Sequence, residues 1–300
     1  IKDKLFFFAA YEGNDQDRAF TVNSTGSADQ IAEFNRLSGR NISDFEGTFV
    51  SPFRGDFYFG KLTFTPDENQ VFDVSFSRRE ETDIQGFGGN TAFEYAENKR
   101  NKVDTYLFKW TYSGEDFVNE FNANHLNYNF NPVAINPDLP SFDYAGTILF
   151  GGKDSTRQEL QENWAVRDDV TWTGVDNHVI KAGLRMEVTD ITINNRAYVQ
   201  PRYFFRREPN NNLNFAFPAE ALLELGNGRI YGSNTQLGMY IQDDWDVTDR
   251  LQLNLGVRWD YESNGFNNNY VAPAAAAGAL PALPTTFYFD PEDYISDGTD

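Results

Sequence analysis

The residues whose types could do chemistry are two histidines, one aspartate-rich turn, a few adjacent carboxylates and one aromatic, amide-rich loop. His125 and His178 are far apart, and His178 falls at an expected turn, so both read as exposed or wet-face polar groups and not as a catalytic pair. There is no cysteine, which excludes a thiol nucleophile, a thiolate metal site and a disulfide framework. No GxSxG, HExxH, Walker or GxGxxG motif is present. Asp168 and Asp169 are neighbours in an expected strand, so their side chains point to opposite faces and cannot share a proton. Asp243, Asp244 and Asp246 offer oxygens of the kind calcium takes, yet the Gly and terminal Glu of an EF-hand loop are missing, and they read more simply as interfacial groups near a turn. Asp243 stands out because it shares parity with Leu237, Met239 and Ile241, which places it near a membrane edge or at a bulge. No catalytic residue, cofactor or metal ligand is therefore assigned. The ligand-contact candidates are Tyr198, Tyr203, Phe204, Phe205, Asn210, Asn211 and Asn212, because aromatic anchors beside amide donors suit a peptide or glycan. The competing reading is a loop that packs on its neighbours.

The elements that must position these groups are strands. From Leu251 to Glu262, Leu251, Leu253, Leu255, Val257, Trp259 and Tyr261 share one face and Gln252, Asn254, Gly256, Arg258, Asp260 and Glu262 the other. A strand of about 9–11 residues with an apolar face capped by aromatics is the unit of a membrane β-barrel, whose polar face lines a wet interior. Composition agrees, with 40% hydrophobic residues but 28 Phe and 15 Tyr. A formal net charge of −20 repels phosphate backbones and excludes a nucleic-acid partner. The longest apolar run, Leu5–Tyr11, is far shorter than the roughly 18 residues a membrane helix needs.

Taken in order, Lys4–Gly13 is the first expected strand, with both faces apolar at its start, so that protein and not water must cover one of them. Polar loop follows from Asn14 to about Gly55, with a short helix at Ile31–Leu37. Asp56–Thr65 and Gln70–Glu80 form a hairpin, Asn101–Tyr112 and a return strand to Phe130 a second, Asn163–Thr173 and His178–Ile191 a third, and Gln236–Glu262 a fourth. Between them lie longer irregular stretches, the longest at Thr192–Asn234, where Pro218–Leu225 reads as one or two helical turns. Short and long connections alternate, which is the sidedness of outer-membrane barrels: tight turns to the periplasm, long loops outside. The Thr248-Asp249 turn is expected on the periplasmic side. Lys109, Arg167, Lys181, Arg185 and Arg258 are expected to face the interior and pair with Asp104, Asp169, Glu187, Asp260 and Glu262 or with groups of a plug.

Nine strands cannot close a bacterial barrel, because strand numbers are even and an open edge in lipid leaves backbone groups unpaired. The fold class is therefore all-β: an antiparallel transmembrane β-barrel segment of about nine long amphipathic strands, not closed on its own, and a piece of a longer protein.

Two stretches carry a family resemblance: KDKLFFFAAYEG at Lys2–Gly13 and YIQDDWDVTDRLQLNLGVRWDYE at Tyr240–Glu262. Together they resemble the barrel of TonB-dependent outer-membrane receptors, most closely the Oar-like branch, whose chains carry a carboxypeptidase-regulatory-like domain before the plug. The resemblance implies that residues 1–300 are the N-terminal part of such a barrel, with the plug upstream and further strands downstream. It implies outer-membrane lipid, the plug, the remaining strands and the TonB complex as partners, and import or export of a substrate that is a peptide, a glycan or a metal chelate. The alternatives are a soluble secreted all-β binding module, or a carbohydrate-active enzyme, which would need paired carboxyls about 5–9.5 Å apart.

Overall fold

Residues alternating between greasy and wet side chains fold into long strands laid side by side, because each ladder satisfies the backbone while sending one set of side chains to each face. The computed structural model describes residues 2–206, 214–264, 271 and 274–279. In chain order its elements are β1 (Leu5–Val22), α1 (Ala28–Ser38), β2 (Gly47–Phe64), β3 (Gln70–Gln85), β4 (Glu97–Ser113), β5 (Phe117–Phe130), β6 (Val133–Ala134), β7 (Ser141–Tyr144), β8 (Ile148–Gly151), β9 (Thr156–Trp172), β10 (His178–Arg196), β11 (Arg202–Phe205), β12 (Glu220–Leu222), β13 (Arg229–Thr248), β14 (Leu251–Glu262) and α2 (Ala274–Ala279). The long strands pair antiparallel in the order β1-β2-β3-β4-β5-β9-β10-β13-β14, and β6 adds to β4 off this path. The expected set of nine long strands is thus present among the described residues.

Register explains the two faces. Phe7, Leu62, Val74, Phe108, Ala123, Val166, Met186, Leu237 and Tyr261 form one unbroken cross-strand row. Phe7 is 83% exposed and Met186 45%, so this face is not a buried core. Its chemistry demands lipid. On the other face the parallel row reads Asn122, Arg167, Arg185, Gly238 and Asp260. The inner wall also uses glycine as a socket: a Cβ on Gly183 would stand 2.3 Å from the ring of Tyr240, which lies across it.

The strands are longer than alternation predicts, always at the long-loop end. Asn14–Val22 and Gly47–Gly55, expected as loop, continue β1 and β2 in register to the pair Val22 and Gly47. β3, β4, β9, β10 and β13 overrun in the same direction. Beyond the lipid both faces meet water, so alternation stops while the backbone ladder goes on. The short connections are residues 65–69, 114–116, 173–177 and 249–250; the long ones are 23–46, 86–96, 131–155 and 197–228.

The expected helix near Ile31–Leu37 is α1. Ser27 Oγ accepts from the Gln30 amide at 3.3 Å, Gln30 Oε1 accepts from the Ser27 amide at 2.9 Å, and Gly39 ends it at φ 70°. The helical turns expected at Pro218–Leu225 are a correction: Glu220–Leu222 is extended as β12, because Arg202 pairs with Leu222 and Phe204 with Glu220. Here pairing partners outweigh local propensity.

The main buried core lies in the loops and not under the large sheet. A second sheet, ordered β12-β11-β7-β8, joins two long connections. With α1 it buries Phe34, Ile148 and Phe215, at 0%, 0% and 1% exposure. The Phe34 ring meets Tyr144 edge-on at 4.8 Å.

Candidate functional site

Two surfaces could meet a solute: the loop layer and the polar wall of the large sheet. In the loop layer, Phe205 stacks on Tyr144 at 4.2 Å and Tyr203 on Phe142 at 5.6 Å. The guanidiniums of Arg202 and Arg206 each lie over the Phe204 ring, 4.8 Å from its centre. Phe204 and Phe205 are each 8% exposed, so of the aromatic candidates these two are core members, and any surface they serve must be presented by Tyr198 and Tyr203, which are half-buried. Asn210, Asn211 and Asn212 lie outside the described residues.

Below these rings sits a buried polar knot. Asp154, 3% exposed, accepts from Tyr95 Oη at 2.6 Å, from Arg202 Nη1 at 3.2 Å and from Ser141 Oγ at 3.4 Å. Arg202 also donates to Asp143 at 2.6 Å. Burial pushes the Tyr95 hydroxyl well above its ordinary range, and the bond to the Asp154 carboxylate adds to this. Arg202 is pulled down by burial, but Asp143 and Asp154 more than offset it and hold the guanidinium charged. The knot draws on three long connections, so it fixes the loops to one another. Sequence reasoning missed all of these residues: each is a single polar group in a polar loop, and nothing local distinguishes it from a solvated one.

On the polar wall the expected ion pairs form largely between neighbours on one strand. Arg167 pairs with Asp169, Arg185 with Glu187, and Arg258 with Asp260 at 2.6 Å. Lys109 goes to Glu120 at 3.2 Å and Lys181 to Asp244 at 2.9 Å. Among the described residues Glu262 accepts from Asn234 and Gln236 and not from an arginine. Asp104 is a second correction: it bonds Arg78 at 2.6 Å, and the two stand on the lipid-directed parity just above the apolar rows, not on the interior wall. Asp168 and Asp169 do point to opposite faces, Asp169 receiving Tyr240 Oη at 2.9 Å and Asp168 the side-chain amide of Asn119 at 2.6 Å.

The aspartates near the last turn separate in the same way. Asp243 meets Nδ1 of His178 at 2.7 Å on the apolar face, and Asp244 meets Lys181 on the polar one. The register shift expected as one explanation for Asp243 occurs a little nearer the turn, between Asp246 and Thr248. His125 lies flat on Trp164, with ring centres 4.0 Å apart, beside Tyr106.

A family model described as "Outer membrane beta barrel domain" matches residues 28–272. Among solved structures, the chain is similar to the outer membrane transporter YddB from Escherichia coli, with TM-score 0.57 and 12% identity over 88% of this chain and 32% of that one. It is also similar to the ferripyoverdine receptor of the outer membrane of Pseudomonas aeruginosa, with TM-score 0.49 and 10% identity over 86% and 36%. At 12% identity the likeness to the transporter is one of fold. The chain spans about a third of the length of these two structures. No curated protein matches in sequence.

Proposed function

Because the chain belongs to the outer membrane beta barrel domain family and is an outer-membrane β-barrel, we propose that it forms the N-terminal part of the barrel of a TonB-dependent receptor of the Oar-like branch. In this reading a plug precedes residue 1, more strands follow residue 300, and the whole protein moves a peptide, glycan or metal chelate across the outer membrane with energy delivered through the TonB complex. The observation that carries it is the pair of open edges. Among the described residues, β1 pairs only with β2, and β14 only with β13. Each backbone group left open in lipid costs several kcal/mol, so further strands must join both edges. The alternation of tight turns and long loops supports the same sidedness. Tyr198 and Tyr203 are the loop-layer groups we assign to the substrate side.

A soluble secreted module has no support beside the lipid-directed rows and the family match. The test is the parent gene together with energised uptake. A plug-like domain upstream, amphipathic strands downstream and loss of uptake in cells lacking TonB are expected. A parent with neither flanking region would end the proposal.

A further inference from the structure

Above the lipid the large sheet splits between β5 and β9. The two strands pair as far as the rung of Phe130 with Glu159. Asn131 then stays with β4, its amide donating to the Arg100 carbonyl at 2.8 Å, and Pro132 has no N–H to offer β9. The chain continues along β4 as β6, with Val133 opposite Asn98, while the outer end of β9 remains on β10. A cavity of about 300 Å3 lies in the gap, at the lower end of the roughly 300–1,000 Å3 that ligand sites hold.

Its lining is amide and hydrocarbon. Asn131, Gln158 and Asn194 line it beside Pro132, Val133 and Val199, and no hydrogen bond engages those three side-chain amides among the described residues. Lys153 and Arg157, also at the cavity, are already met by Glu97 at 3.7 Å and by Glu159. Free amide donors and acceptors beside nonpolar groups, with no uncompensated charge, suit the hydroxyls and C–H faces of a sugar ring.

Register sets these amides in a row that ends in cations. Gln158 pairs with Asn194, Asn194 with Arg229, and Asn131 stands opposite Arg100, all on the lipid-directed parity. Arg100 and Arg229 are exposed, and no carboxylate pairs with either guanidinium among the described residues. A free guanidinium at each end suits an acidic substituent, because its fork matches phosphate or carboxylate.

Height decides what can reach the row. On β4, β5 and β9 the outermost lipid-directed aromatics are Tyr106, His125 and Trp164, which share one cross-strand row. From Trp164 to Gln158 β9 runs about 20 Å, or about 15 Å along the barrel axis at the usual tilt. A phospholipid head layer adds only about 5–8 Å beyond the hydrocarbon, so the row stands above it, where a lipid with a sugar head reaches. We propose that this cavity and its flanking arginines bind the sugar head of an outer-leaflet glycolipid, with the ring in the cavity and its phosphate or carboxylate on Arg100 or Arg229. The face is the outside of the barrel, away from a plug, and β4, β5, β9, β10 and β13 are all inner members of the strand order, away from both open edges. The inference rests on the membrane placement of the barrel and not on transport.

The experiment is a binding titration of the full-length protein in detergent micelles with a lipopolysaccharide bearing a phosphorylated core oligosaccharide, the same lipid A without sugars, and the free deacylated oligosaccharide. The complete lipid should bind about tenfold tighter or more than either part, because chains and sugar then engage together. Gln158→Ala, and the double variant Arg100→Gln with Arg229→Gln, should each weaken the complete lipid by about tenfold and leave lipid A unchanged. Arg250→Gln, which removes an exposed cation at the short-turn side, should bind as the parent does. If Gln158→Ala loses the heat-modifiable mobility of a folded barrel, Asn131→Ala replaces it, with the same loss expected. Free oligosaccharide that binds as tightly as the complete lipid would overturn the membrane source in favour of a soluble glycan. Equal affinity for the complete lipid and lipid A, no binding, or unchanged affinity in the folded variants would overturn the site. Uptake plays no part in this readout, so the two tests fail independently.

Discussion

Asn119 donates from its side-chain amide to Oδ1 of Asp168 at 2.6 Å, on the face of the sheet that carries the apolar rows directed at lipid. Asp168 stands in register between Phe121 and Leu184, and Asn119 one row nearer the short turns, beside Tyr112 and Val170. Each polar group there makes the other tolerable.

That dependence is measurable as a double-mutant cycle. Asn119→Leu leaves a bare carboxylate facing hydrocarbon and should cost about 2–3 kcal/mol, as expected for a charged acceptor that loses its donor. Asp168→Leu should cost less, since only a neutral amide is stranded. The double substitution should recover most of the loss, with a coupling of about 1 kcal/mol or more. Urea unfolding from lipid vesicles reads it, and strict additivity would show that the bond contributes nothing.

Depth along the lipid-directed face gives a second prediction. Leu184 lies within the apolar rows, whereas Thr192 has the same parity on β10 near the long-loop end. Leu184→Arg should cost about 2–4 kcal/mol and Thr192→Arg about 0–1, because a lipid-facing cation is expensive only away from the interface. Equal costs in vesicle unfolding would mean that the lipid boundary is not where the rows place it.

The Asp154 knot gives a third. Asp154→Ala leaves Arg202 paired with Asp143 alone and strands the buried Tyr95 hydroxyl, and should destabilise the loop layer by about 1–3 kcal/mol. Limited proteolysis within 131–155 should accelerate while unfolding of the large sheet stays near the parent's. Faster proteolysis without loss of barrel stability checks that the loops are a separate cooperative unit.

Tyr95 adds a pH dependence. Its hydroxyl has a raised pKa when folded, above the ordinary 10.0, so it holds its proton more tightly in the folded state. The associated stability is fully present below pH 10 and is lost as pH rises from there through the folded value. Loop opening should therefore steepen above about pH 10 in the parent. The Tyr95→Phe variant should weaken that dependence, Tyr144 in the same core keeping a share of it because burial raises its hydroxyl too, as read by tyrosinate absorbance alongside proteolysis.

The parts of the fold that touch lipid were legible, because lipid imposes alternation. The expected strand Arg250–Glu262 recovers β14 to within one residue, and His178–Ile191 recovers all but the outer end of β10. The outer strand halves were hidden because water on both sides imposes no pattern. β12 was misread as helix because three residues of extended chain are decided by a partner, β11, that is distant in sequence.

By itself, then, the sequence determined the class, the number of long strands, the direction of the faces that alternate cleanly and the absence of thiol chemistry. These depend on which side chain stands at which parity, and parity is local. Only the tertiary structure decided what the loops do. It sent Phe204 and Phe205 into a core, tied Tyr95, Asp154 and Arg202 into one knot, and turned Asp104 toward Arg78. Each of these depends on register between strands or on contacts between separate loops, and a backbone fixes those only when it closes its ladders in three dimensions.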